Sequence, residues 1–278
     1  MPHRLTLAII AVICPAAAAQ VLHERGPVAS IPGGHTSGAD LFQAPEAGAG
    51  VGLHIGHDFE TYLAQRFEAD EAWVIDRITL WAHQNGSTLA PTIDGLHLEI
   101  WDGPPNVPTS APVAGDLSAN VLDEASFSGV YAAFYGLAGR TDRPIMELTA
   151  SDLGWELEAG TYWLVWGATG SLPGGPYATY LATPAGPVAG EALQGRFGAW
   201  GPARVDPSGE QLAFPVRIEG DSACPADCDG VSGLDLFDFL CFLNQYAAGD
   251  PKADCDASGV IDPADFACYQ GLFAAGCP

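Results

Sequence analysis

The sequence predicts a mainly β chain: a β-sandwich or jelly-roll-like domain, then a small α-helical unit of paired loop-helix repeats. Three observations predict it. Short apolar runs, several alternating with polar residues, fill residues 51–220 and are separated by Gly, Pro, Asn and Asp. An aspartate-rich stretch beginning at Asp227, "DCDGVSGLDLFDF", returns at Asp254 as "DCDASGVIDPADF". Of the seven cysteines, all but Cys14 fall in that last part of the chain.

Residues 1–19 read as a signal peptide. Arg4 supplies the positive start, "LTLAIIAVI" a short apolar core, and Ala17 to Ala19 a small-residue cleavage site. The apolar run is too short to span a bilayer, and no later stretch resembles an anchor, so no membrane insertion is expected. Cleavage after Ala19 leaves an even number of cysteines in an exported chain, which argues for disulfides and an extracellular or cell-surface location. The formal net charge is −24 and becomes more negative when Arg4 is removed. So acidic a chain repels nucleic acid and anionic membrane surfaces.

Residues 20–50 are rich in Gly, Pro and Ala without a clear period, and are expected to form a lead-in or flexible linker. From 51 to 220 the strand candidates include "WVIDRITLWAH", "GLHLEIW", "TYWLVWGA" and "LAFPVRIEG". Their β-branched and aromatic content suits half-buried strands, and "QNGS", "WDGPPNVP" and "LEAGTYW" supply turns. A segment of this length can bury a substantial core between two sheets. Residues 221–278 form the second unit, with ten Asp, no Glu and a single Lys. So short a unit has little core of its own and calls for disulfides or bound metal.

A hard cation such as calcium takes about six to eight oxygens, and a loop of about twelve residues can offer them at alternate positions. In the second copy Asp254, Asp256 and Ser258 stand at positions 1, 3 and 5, and Gly259 at the sharp turn. The Val260 carbonyl follows at 7, Asp262 at 9 and Asp265 at 12. In the first copy Asp227, Asp229, Asp235 and Asp238 hold positions 1, 3, 9 and 12, but Val231 stands at 5 and the glycine has moved to 7 as Gly233. With one oxygen ligand fewer, the first loop is expected to bind calcium more weakly. Candidate helices follow both loops, "LFDFLCFLNQYAA" and "PADFACYQGLFAA". The first is apolar all round, and a small domain covers only one side of such a helix.

An Asp-closed calcium loop that runs straight into a helix, written twice, resembles a dockerin repeat pair. Cys228 and Cys255 at position 2, Cys241 and Cys268 at position 15, and the terminal "GCP" look like the GC-type variant. The resemblance covers the stretch from Cys224 to the terminal Pro278. It implies two calcium-bound loop-helix units around a pseudo-two-fold axis, docking onto a cohesin-like or other surface protein in polysaccharide utilisation. It also implies that positions 10 and 11 choose the partner. These are Leu236 and Phe237 in one copy, Pro263 and Ala264 in the other, so the two faces are not equivalent. Cys224 and Cys277 flank the unit and are expected to clasp its ends. The other four cysteines pair either within or across the repeats.

The β domain carries no G-x-S-x-G, H-E-x-x-H or phosphate-binding glycine loop, and no E-x-D-x-x-E. Glu68, Asp70, Glu71, Glu156 and Glu158 could supply a carboxylate pair, but nothing selects two of them. "HIGHDFE" gathers His54, His57 and Asp58, read as an exposed polar loop rather than a metal site. In "ITLWAHQ" the alternation sets Trp81 and His83 opposite Ile78, Leu80 and Ala82. In "GLHLEIW" it sets His97 and Trp101 opposite Leu96, Leu98 and Ile100. If those strands are neighbours, Trp81, His83, His97 and Trp101 form one face on which a sugar ring can stack. The expectation is therefore a non-catalytic carbohydrate- or surface-binding domain carried by a calcium-dependent docking unit. The alternatives are a glycoside hydrolase or polysaccharide lyase, or a structural cell-surface component.

Overall fold

The computed structural model describes residues 20–44, 50–183, 186–204, 209–222, 226–229, 234–256 and 258–276. The signal segment 1–19 lies outside them, as do Cys224, Gly233 and Cys277. The described chain is mainly β and ends in two helices, Leu236–Ala248 (α1) and Pro263–Ala275 (α2).

Two sheets dominate. One orders its main strands Gln20–Arg25, Val216–Ser222, Trp73–His83, Pro144–Ala150, Glu124–Ala133 and Asp40–Gln43. The other is six-stranded, in the order Ala199–Pro202, Leu193–Arg196, Thr61–Ala69, Gly160–Gly170, Ile93–Trp101 and Pro112–Gly115. The four runs singled out by alternation all contain strands. Leu96, Leu98 and Ile100 are fully buried, and with Ile78 and Leu80 from the other sheet they join one apolar cluster. Burying a residue of this kind stabilises the fold by about 1.5–3 kcal/mol.

Residues 20–50 are more than a linker. Gln20–Arg25 pairs antiparallel with Val216–Ser222, and Asp40–Gln43 pairs parallel with Glu124–Ala133. Leu41 and Phe42 are buried. The Gly- and Pro-rich composition hid these strands, because their partners lie far along the chain.

The C-terminal helices enclose a separate small core of Phe242, Tyr269, Ala226 and Ala253. Residues at equivalent positions of the two repeats meet across it. Phe242 stacks on Tyr269 with centroids 3.9 Å apart and planes 1° from parallel, and Phe239 meets Phe266 edge-on at 6.2 Å. The contact of Phe239 with Phe273 at 5.7 Å has its counterpart in Phe266 with Tyr246 at 6.1 Å. Such reciprocity is what an approximate two-fold relation between the repeats produces.

Candidate metal centre

Each repeat begins as a loop whose last residues start a helix. Asp235 caps α1 by accepting the Phe237 N–H at 2.6 Å, and Asp238, further along the first turn, accepts the Asp235 N–H at 2.8 Å. Asp262 and Asp265 repeat the arrangement on α2, with Ala264 N–H at 2.7 Å and Asp262 N–H at 2.8 Å. These are reciprocal capping boxes with Asp in both roles. Position 9, read from sequence as a metal ligand, is therefore engaged as the helix cap. The D-x-x-D spacing in front of an apolar run carried that signal.

Three carboxylates of each repeat converge, the second member of each capping box among them. Asp227, Asp229 and Asp238 bring one oxygen each within 4.8 Å of one another, and so do Asp254, Asp256 and Asp265. Asp238 and Asp265 are fully buried, while Asp229 and Asp256 face solvent. Among the described residues these two triads are the groups of three that could hold a metal ion. Three hard anionic oxygens fit a cation of the calcium or magnesium kind and not a soft one.

The backbone of each loop is bent around its carboxylates. Burial alone raises the Asp238 carboxyl. The N–H groups of Asp235 and Asp229, the Asp227 side chain and the Cys228 N–H outweigh it and leave the group below its ordinary value. For Asp265 the Asp262 N–H is the main cause of a lowered pKa; burial opposes it, and donors from Asp256 and Cys255 add to it. In the second loop Asp254 accepts Ser258 N–H at 2.9 Å and Gly259 N–H at 2.7 Å. Gly259 has φ +81°, the left-handed conformation expected at the sharp turn. The Ser258 hydroxyl donates to the Val260 carbonyl at 3.1 Å, so these two candidate ligands are joined to each other. The stretch that distinguishes the first loop, Val231 to Gly233, lies outside the described residues.

Disulfides join Cys228 to Cys241 and Cys255 to Cys268, each within its own repeat. Each ties its triad's loop to the following helix. Tyr269 of the second repeat reaches into the first: its hydroxyl donates to the Ala226 carbonyl at 2.8 Å. Burial, then the charges of Asp238, Asp227 and Asp229, push its pKa up to about 12. Sequence reasoning missed Tyr269; the available signal was that it holds the same repeat position as Phe242.

The first turn of α1 is apolar and uncovered, with Leu236 67% and Phe237 66% exposed. Pro263 and Ala264 are exposed at the equivalent place on α2.

The four sugar-face candidates separate. Trp73–His83 and Ile93–Trp101 belong to different sheets, so Trp81, His83, His97 and Trp101 do not form one face. Trp81 is buried, its indole N–H donating to Glu147 at 3.2 Å, and the Arg217 guanidinium lies 5.8 Å from its ring. His83 is fully buried beside Thr179 and Tyr177. His97 stacks on His57 at 3.7 Å, and Trp101 is half-buried with its N–H on Glu99 at 2.9 Å. His54, His57 and Asp58 form no ligand group of the kind the triads do.

No family model matches the chain, and no curated protein does. No helix among the described residues is long and apolar enough to cross a membrane.

Proposed function

We propose that this chain is an exported, non-catalytic protein whose C-terminal unit is a dockerin-like, calcium-dependent docking module. The observation that carries the reading is the repeated device itself. Two Asp triads, each at the mouth of a disulfide-tied loop-helix unit, are related by reciprocal aromatic packing. Calcium would supply the positive charge each triad calls for, and would set the angle at which each helix leaves its loop. The uncovered pair Leu236 and Phe237 then offers the partner an apolar anchor of the kind that dominates interface energetics. The β-rich part reads as a sandwich, since both sheets feed one core, and its role is to hold a carbohydrate or surface ligand.

Calorimetry on the full chain tests the ion, and retention on immobilised cohesin modules tests the docking. Calcium binding should be seen, and retention should need it. Phe237→Asp should abolish retention while moving stability by less than about 0.5 kcal/mol, as exposed substitutions do. Calcium-independent retention, or no uptake of calcium at all, overturns the reading.

A further inference from the structure

The six-stranded sheet has a second apolar cluster on the face turned away from the shared core: Trp163, Val165, Ala64 and Leu193, with Trp101, Trp200 and Tyr62 packed against them. The alternation of the strands requires this. Leu164 and Trp166 point inward to the main core, so Trp163 and Val165 must point outward. Trp163 and Trp101 are register partners on adjacent strands, and Arg66 faces Trp163 from the other side.

Over this face lies a cleft of about 480 Å³, within the size range of small-ligand sites. Trp163 and Leu193 line its apolar part, and Arg66, Glu191, Asn106 and Thr161 its polar part. Arg66 is shared between Glu191 at 3.5 Å and Glu68. One cation between two carboxylates leaves no positive charge to attract an acidic ligand, and the chain's net charge of −24 repels one at long range. The net charge of −1 left over sits on Glu68 and Glu191 side chains that are 62% and 67% exposed, where solvent and salt screen it and offer a cationic ligand no buried partner. What remains is a narrow apolar floor, with Trp163 7% and Leu193 5% exposed, beside groups that both donate and accept hydrogen bonds. A neutral ring with an apolar C–H face and a rim of hydroxyls matches that pattern, because each hydroxyl needs a donor and an acceptor.

We propose that this cleft binds a neutral sugar unit of a polysaccharide. The proposal rests on the carbohydrate-binding reading above and moves it from the Trp81 side to the Trp163 face. The test uses the full chain in affinity electrophoresis against a neutral β-glucan, a galactomannan and, as acidic polymer, polygalacturonate. At least one neutral polymer should retard the protein. Arg66→Gln and Asn106→Ala should weaken that retention at least tenfold with unchanged melting temperature, and Trp163→Phe should weaken it less. If a neutral polymer binds and both rim variants keep full affinity, the cleft assignment falls while carbohydrate binding stands. If only polygalacturonate binds, the neutral class is wrong. If no polymer binds, both the cleft and the carbohydrate reading fail.

Discussion

Replacing Asp229 by Asn should change stability in opposite directions with and without calcium. The oxygens of Asp227, Asp229 and Asp238 lie within 4.8 Å of one another. Two unit charges at that distance repel by about 0.9 kcal/mol in water-like surroundings and about 3.5 kcal/mol at an effective dielectric near 20. Asp229 is exposed, so the lower figure applies, and its charge takes part in two such pairs. Without an ion, the substitution should therefore stabilise the unit by about 2 kcal/mol, the sum of two water-like repulsions. The backbone N–H of Asp229 still donates to Asp238, so that part of the loop is unchanged. With calcium present, the same change removes one of three charged ligands. Even outer-shell changes at metal sites cost about 10–100-fold in affinity, which is about 1.4–2.7 kcal/mol of linked stability. Amide exchange over residues 226–276, in chelator and in excess calcium, reads both halves of the prediction. If Asp229→Asn lowers protection equally in the two conditions, the triad is a hydrogen-bonded turn and not an ion site.

Acid should weaken the β region well before it discharges Asp238 and Asp265. Burial, then the charge of Arg143 against a smaller opposing effect of Asp142, lowers His83 to about 3. The unfolded chain takes up that proton near 6.5 and the folded one does not. The contribution of His83 is thus intact above about pH 6.5 and falls by about 1.4 kcal/mol per unit below it, about 2 kcal/mol by pH 5. All seven Trp lie between Trp73 and Trp200, so urea midpoints followed by Trp fluorescence isolate this region, and His83→Gln should flatten the slope. An equal slope in the variant refutes the assignment. Asp238 and Asp265 have lowered pKa values, so what they contribute persists above the ordinary carboxylate range and is lost only as pH falls through those lowered values. Disulfide mapping by mass spectrometry should link Cys228 to Cys241 and Cys255 to Cys268, with Cys224 joined to Cys277; links across the repeats would contradict the structure. Each within-repeat bridge closes a loop with a sequence separation of 13 and should contribute about 3 kcal/mol, seen as lost exchange protection on reduction.

What could be read from sequence divides by how far apart the interacting residues stand. The triads were legible because each is assembled within one short loop, where spacing alone sets geometry; Gly259 at positive φ is one such case. The inward faces were legible for the same reason, since the alternation that buries Leu96, Leu98 and Ile100 is a property of one strand. What covers the other face of a strand is not. Trp81 and His83 alternate with Ile78 and Leu80 along the strand, yet Trp81 still joins the main core cluster, and Arg217 approaches one ring and Tyr177 the other, neither near in sequence. Strand partnership failed on the same ground. His83 and Ile93 are close along the chain, yet their strands enter different sheets, and Gln20 finds its partner at Gly220. Trp163 shows where more could have been drawn from the sequence. In "TYWLVW" Trp163 and Trp166 have opposite parity, so a strand through them must send one indole to each side. Trp166 lies in the main core and Trp163 under the outer cleft. An aromatic that alternation forbids from sharing its neighbour's core was the mark of a second surface, and Arg66, Asn106, Thr161 and Glu191 are the polar groups gathered beside it.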